Sequence, residues 1–157
     1  MIFLNKREEV RNMRKMKKIT AVLCAALIAT SVLSFPASAA NISNSKYEFN
    51  FSDWGRSSTA GRAKQDRSST YIKCTQIPDG GFKVYVDGSH SSTGGWTNRT
   101  VNGEAKASRT GEFLIQQLVY ENGERYARLG AYRWWADRNA KGVWSPDSVG
   151  KFPVLNP

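Results

Sequence analysis

The residues of this chain best suited to chemistry are aromatic and basic. The stretch "AYRWWADRNAKGVWSPDS", residues 131–148, carries three of the five tryptophans, and Trp134 and Trp135 are adjacent. An exposed indole can stack on a sugar ring or a lipid headgroup, and a neighbouring guanidinium adds paired hydrogen bonds to anionic groups. Trp135 with Arg133 and Arg125 would make one such surface, and Trp54 or Trp96, both in loop sequence, another. The basic set Arg56, Arg62, Lys64 and Arg67 could meet phosphate-bearing envelope polymers or anionic lipids, with an attraction that salt would screen. The rival account of those four charges is a solvated Ser-rich loop.

Catalytic groupings are thinner. A nucleophile with a base needs two groups within hydrogen-bond reach and usually a third to orient the base. The single histidine, His90, falls in a Ser- and Gly-rich loop and reads as an exposed loop residue. Cys74 sits mid-strand on the face of Ile72 and reads as a small buried hydrophobe rather than a reactive thiol. Glu112, Glu121, Glu124, Asp137 and Asp147 could converge as in a paired-carboxylate hydrolase, although Glu121 and Glu124 flank a turn tip where solvation is expected. Metal-ligand spacings, phosphate-binding glycine loops and nucleotide motifs are absent, so no catalytic residue, metal or cofactor is expected.

The ends of the chain say where it goes. Residues 13–39, "MRKMKKITAVLCAALIATSVLSFPASA", have the order of a secretory signal: a basic start, an apolar run, then small residues at Ala37 and Ala39. Cleavage is expected after Ala39, giving a leader of residues 1–39 and one secreted domain of residues 40–157. A membrane anchor is the weaker reading, since the run is shorter than the roughly 20 residues that span a bilayer. The polar stretch before it fits an overlong start, with Met13 or Met16 as initiator. Removing the leader lowers the formal charge from +10 to +5, and only Cys74 remains, so no internal disulfide can form. An exported chain with that modest charge and no recognition motif is not expected to bind nucleic acid. Its oligomeric state is open, with a monomer as the default.

Alternation then gives the elements that must position these side chains. Tyr47, Phe49 and Phe51 share one face of a half-buried strand. "TYIKCTQI" and "FKVYVDG" flank "PDGG", which reads as a hairpin, and two short strands are expected around Asn102-Gly103. Residues 53–69 and 89–98 read as loops. Asn122-Gly123 lies between two long apolar-rich runs and predicts a type I′ hairpin pairing Val119 with Tyr126, Ile115 with Gly130 and Phe113 with Tyr132. Phe113, Ile115, Val119, Tyr126, Tyr132 and Trp134 would then form the main core face, with Gln117 and Arg128 as its polar members. Trp135 would be left to a shallower contact or to solvent. Alternatively, the strand ends near Arg133 and both indoles pack at an edge. Apolar residues on both faces predict two packed sheets or a closed small barrel: an all-β antiparallel domain of six to eight strands.

The layout of signal, "YEF", "STYIK", "VYENGERYARLGAY" and terminal "GVWSPDS" resembles a family of small exported proteins of Gram-positive bacteria classed as a domain of unknown function. That resemblance implies secretion, no established activity and no functional residue to transfer. The stretch "GSHSSTGGW" is more loosely similar to lactococcin-type bacteriocins. The expected function is therefore non-catalytic: binding of a wall polymer or membrane surface component at the bacterial cell envelope through aromatic and basic side chains. The alternatives are a bacteriocin-type antagonistic factor, a structural or stress-related extracellular protein, and a small hydrolase.

Overall fold

Side chains alternate between inward and outward from Ser45 onward, and that alternation builds two layers. The computed structural model describes residues 40–51, 56–134 and 138–157. The segment Met1–Ala37, a unit separate from Ser38–Pro157, lies outside the described residues, as do Ala39 and the expected cleavage site.

The described residues form ten strands and no helix: β1 (Ser45–Phe49), β2 (Arg56–Ser58), β3 (Arg62–Ala63), β4 (Thr70–Gln76), β5 (Phe82–Ser89), β6 (Thr97–Asn98), β7 (Ala105–Ala107), β8 (Gly111–Ile115), β9 (Tyr126–Tyr132) and β10 (Ala140–Ser145). One sheet has the order β1-β10-β4-β8. The other runs β2-β9-β5-β6, with β3 continuing the β2 edge along β9 and β7 continuing the β6 edge along β5. All ladders are antiparallel, consistent with a β-sandwich. The ten segments fill eight strand positions, because each edge of the second sheet is one strand broken in two.

The core lies between the sheets. Tyr47 and Phe49 of β1 stack at 4.9 Å, and Phe49 meets Phe82 of the opposite sheet at 6.2 Å. Ile72, Cys74, Val84, Val86, Phe113, Ile115, Leu129 and Trp144 belong to the same buried cluster. Burial of each such large apolar side chain is worth about 1.5–3 kcal/mol, which is what holds two thin sheets together. The last residues close an edge. Leu114 donates its N–H to Pro153 O and accepts from Leu155 N, each at 2.9 Å, so the C-terminal segment covers the outer side of β8 and leaves fewer unpaired strand groups there.

Two expected hairpins are corrected. Gly80 and Gly81 take positive φ (76° and 83°) as a reversal after Pro78 requires, but β4 and β5 belong to different sheets and do not pair. Likewise Gly123 has φ 78°, yet β8 pairs with β4 while β9 pairs with β5, so the expected register across Asn122-Gly123 does not exist. Asn122 is not at positive φ, and the reversal is a wider turn with Asn122 N donating to Leu118 O and Glu124 N to Val119 O.

The chain changes sheet at six of its nine connections, so most of its turns are crossovers. The core face follows from this. Phe113, Ile115, Gln117 and Val119 point inward as expected, but from β9 it is Ala127, Leu129 and Ala131 that are buried, whereas Tyr126, Arg128 and Tyr132 face outward. Residues 53–69, expected as loop throughout, contain β2 and β3.

Candidate functional site

The outward face of β9 and β5 carries the site, and strand register assembles it. Across the sheet, Arg56, Tyr132 and Lys83 form one row, Ser58, Gly130 and Tyr85 a second, and Arg128, Asp87 and Asn98 a third. Directly opposed residues on one face lie close enough to interact, so the register alone creates the Arg128–Asp87 pair. Arg128 Nε donates to Asp87 Oδ2 at 2.9 Å.

Gly130 is what makes the middle row hollow. The Tyr85 ring lies where a Cβ at that position would stand. The loop between β5 and β6 then folds Trp96 over the third row. Its indole lies against Gly61, where a Cβ would overlap the ring, and the Arg128 guanidinium sits 4.7 Å from the ring centroid.

The result is a cleft of about 570 Å³ lined by Arg56, Ser57, Ser58, Tyr85, Asp87, Trp96, Asn98, Gly103, Glu104, Arg128 and Tyr132. Tyr85 and Tyr132 meet at 6.3 Å on its floor, and Arg56 lies over the Tyr132 ring at 5.9 Å. Each end of the cleft thus presents an arginine against an aromatic ring, an arrangement worth about 0.5–2 kcal/mol that also holds the guanidinium in place.

Each carboxylate in the cleft is paired with a cation, Asp87 with Arg128 and Glu104 with Lys83. Tyr132 Oη donates to Glu104 Oε2, and Lys83 Nζ lies 2.5 Å from Glu104 Oε1. Hydrogen bonds from Lys83 and then Tyr132 hold the Glu104 carboxyl below the usual carboxylate range, so it is ionised at neutral pH and acts as an acceptor, not an acid. The Tyr132 hydroxyl is pushed up in turn, chiefly by its bond to Glu104. Burial raises the Tyr85 hydroxyl too, helped by the Asp87 charge.

The residues singled out from sequence do not come together. Arg56 and Trp96 enter the cleft; Trp54 and Trp135 lie outside the described residues. Arg133 Nη1 donates to Gly81 O and so caps the β4–β5 turn, while Arg125, at the opposite end of β9, stacks on Tyr120 at 4.4 Å. The two arginines therefore share no surface. β9 stops at Tyr132, near the end that the alternative account gave it, but Trp134, expected on the core face, is corrected: it is exposed.

The basic loop set is dispersed as well. Arg67 is exposed. Arg62 is a clamp: it donates to Ser43 O at 2.7 Å, Asn41 Oδ1 at 3.0 Å and Trp144 O at 3.2 Å. Burial lowers its pKa against the raising effect of Asp147. Lys64 is buried, with Nζ 2.6 Å from Asp147 Oδ1 and 2.5 Å from Ser68 O. Asp147 also accepts from Asn41 N at 2.7 Å and Gln65 N at 3.0 Å. "GVWSPDS" is thus a structural lock, with Trp144 in the core and Asp147 fastening the β3–β4 loop.

Of the five carboxylates weighed for hydrolysis, the four among the described residues each have separate surroundings. Glu112 pairs with Lys73 on the surface, Glu121 is exposed, and Asp147 is sealed with Lys64. Glu124, expected to be solvated, is buried and held by Arg99 through Nε at 3.0 Å and Nη2 at 2.8 Å. Asp137 lies outside the described residues. Cys74 is buried as read, and burial raises its thiol pKa; His90 is exposed.

Sequence reasoning missed Tyr85, Asp87, Asn98, Glu104, Arg128 and Tyr132. For Tyr85, Asp87, Arg128 and Tyr132 the signal was the outward alternation Lys83-Tyr85-Asp87 and Arg128-Gly130-Tyr132, which becomes visible only once β5, not β8, is taken as the partner of β9; Asn98 and Glu104 carried none. Comparison with curated proteins and with solved structures finds no match. Residues 35–148, from the expected cleavage region to the end of "GVWSPDS", match the family model described as "Protein of unknown function (DUF2712)", and the chain belongs to that family.

Proposed function

We propose that this is an exported, non-catalytic protein that binds a wall polymer at the bacterial cell envelope through the cleft on the outer face of β9 and β5. The observation that carries this reading is the lining itself: Trp96, Tyr85 and Tyr132 set beside Arg56 and Arg128 in a space large enough for a small ligand. Ring faces and guanidinium groups are the chemistry expected of a surface component binder, here gathered in one place. Glu104 is held ionised and hydrogen-bonded, which suits recognition better than proton transfer.

The test is retention of purified protein on isolated bacterial cell walls, compared with Trp96→Ala. Retention of the parent chain and loss by the variant, with both melting alike, is the expected result. Equal retention of the two proteins, or none of either, would overturn the assignment to this cleft.

A further inference from the structure

We propose that the polymer recognised in the cleft is an uncharged oligosaccharide, at least two sugar rings long, lying along β5 and β9. This rests on the cleft being the binding site, and it narrows the ligand to one class by three observations.

The first is charge. Both carboxylates of the lining are already paired, Asp87 with Arg128 and Glu104 with Lys83 just outside it, so Arg56 alone of the lining cations faces no carboxylate of the cleft. Arg128 is already committed twice, through Nε to Asp87 and through its plane to Trp96. A phosphate-bearing chain would have to pull Arg128 from Asp87 or Lys83 from Glu104 to gain more than one guanidinium, at a cost paired charges seldom return. A neutral ligand meets no such penalty.

The second is the apolar part of the surface. Every large apolar side chain in the lining is aromatic, and no aliphatic one is present among the lining residues. An acyl chain has nothing there to pack into. A sugar ring does, because its C–H faces lie flat on an indole or phenol while its hydroxyls point outward in the ring plane. The groups around those rings suit hydroxyls: Asp87 and Glu104 accept, Arg56 donates, and Asn98, Ser57 and Ser58 do both.

The third is length. Trp96 with Arg128 marks one end and Tyr132 with Arg56 the other. Those rows are four residues apart along β9, from Arg128 to Tyr132, which is about 13 Å at the usual strand rise. With Tyr85 between them, the aromatic groups are spread over more than one sugar unit. The ligand would run with the strands.

Calorimetric titration of the purified protein with N-acetylglucosamine oligomers of one to four units, maltotetraose and polyglycerol phosphate tests this. Binding of a neutral oligosaccharide is expected, tighter for two rings than for one, and changing less than about twofold between low and high salt because no counterions are released. Trp96→Ala should weaken it by roughly tenfold or more. Binding of polyglycerol phosphate alone, falling steeply with salt, would overturn the glycan assignment while leaving wall-polymer binding intact. Failure to bind any of these probes by a protein that is retained on cell walls would overturn the glycan assignment alone. Failure on the walls as well would overturn both.

Discussion

Two assemblies in this protein use the same ingredients, a basic side chain set against an aspartate, and they end up in opposite states. Where the β3–β4 loop meets the end of β10, the Lys64 and Asp147 side chains are both fully buried and their groups are taken up by the chain itself: a Ser68 carbonyl, the Asn41 and Gln65 amides, and Asp66 at 3.6 Å from Lys64. On the outer face, Arg128 and Asp87 pair just as directly, but Arg128 keeps a quarter of its side chain exposed and opens onto a cleft. The first pair has no capacity left for a ligand. The second is held in place by the fold yet remains accessible, which is the condition for recognition. A charged pair therefore indicates function less by its geometry than by whether anything can still reach it.

The sharpest way to break the comparison is to remove one partner from each pair. Asp147→Ala leaves the buried ammonium only the more distant, part-exposed Asp66 carboxylate and strips acceptors from the Asn41, Gln65 and Asp66 amides, so a loss of about 3–5 kcal/mol is expected in urea unfolding. Lys64→Met should cost less, because it removes the charge that Asp147 balances yet leaves the amide hydrogen bonds in place. Equal small losses for both would show the lock to be dispensable. Arg128→Ala, outside the core, should cost about 1–3 kcal/mol at most and should act mainly on ligand retention.

A second contrast is between the buried Tyr47–Cys74 contact, whose groups titrate at high pH, and the ion pairs above. Tyr47 Oη lies 3.3 Å from Cys74 Sγ, and burial raises both pKa values. A group whose folded pKa is raised supplies stability in full below its unfolded pKa and loses it as pH climbs toward the folded value. The window therefore opens above the ordinary thiol value of about 8.5, and each withheld proton is worth about 1.4 kcal/mol per pH unit. The melting temperature should fall from there upward, first on account of Cys74 and later of Tyr47. Cys74→Ala should flatten the first part of the decline. A parent chain whose melting temperature is unchanged to pH 10 would contradict it.

How much of this could be read from the sequence follows from the turns. Glycine and proline chemistry located the reversals at Pro78–Gly81 and near Gly123, because positive φ is a local requirement. It could not say whether the strands on either side pair with each other, because that depends on which sheet each one joins. Once β8 was assumed to pair with β9, both had to share a core face, and the inward set chosen for Phe113 and Ile115 forced Tyr126, Arg128 and Tyr132 inward as well. The structure instead buries Ala127, Leu129 and Ala131. Arg128 on the face chosen as core was the warning, since a charged side chain does not suit a sandwich interior unless it is paired. Lys64 was hidden for a different reason: its partner is 83 residues away, and nothing local distinguishes it from Arg67.

Gly130→Ala sharpens the account of the outer face. The new methyl would overlap the Tyr85 ring, which has open cleft on its other side and can swing away, so the stability cost should be only about 1 kcal/mol. Ligand retention should fall further than stability does, because the displaced ring occupies the floor of the cleft. Loss of both in proportion would mean that Tyr85 serves packing alone.

The smallest expected effect on folding discriminates most finely. Arg56 and Arg67 come from the same Ser-rich stretch and carry the same charge, but only Arg56 lines the cleft. Replacing either by Ala should change stability by no more than about 0.5 kcal/mol, the usual range for surface positions. Cell-wall retention should drop for Arg56→Ala and stay unchanged for Arg67→Ala. If the two variants lose retention equally, attraction is coming from the charge of the loop and not from a shaped site, and the distinction drawn between sealed and reachable pairs would no longer bear on binding.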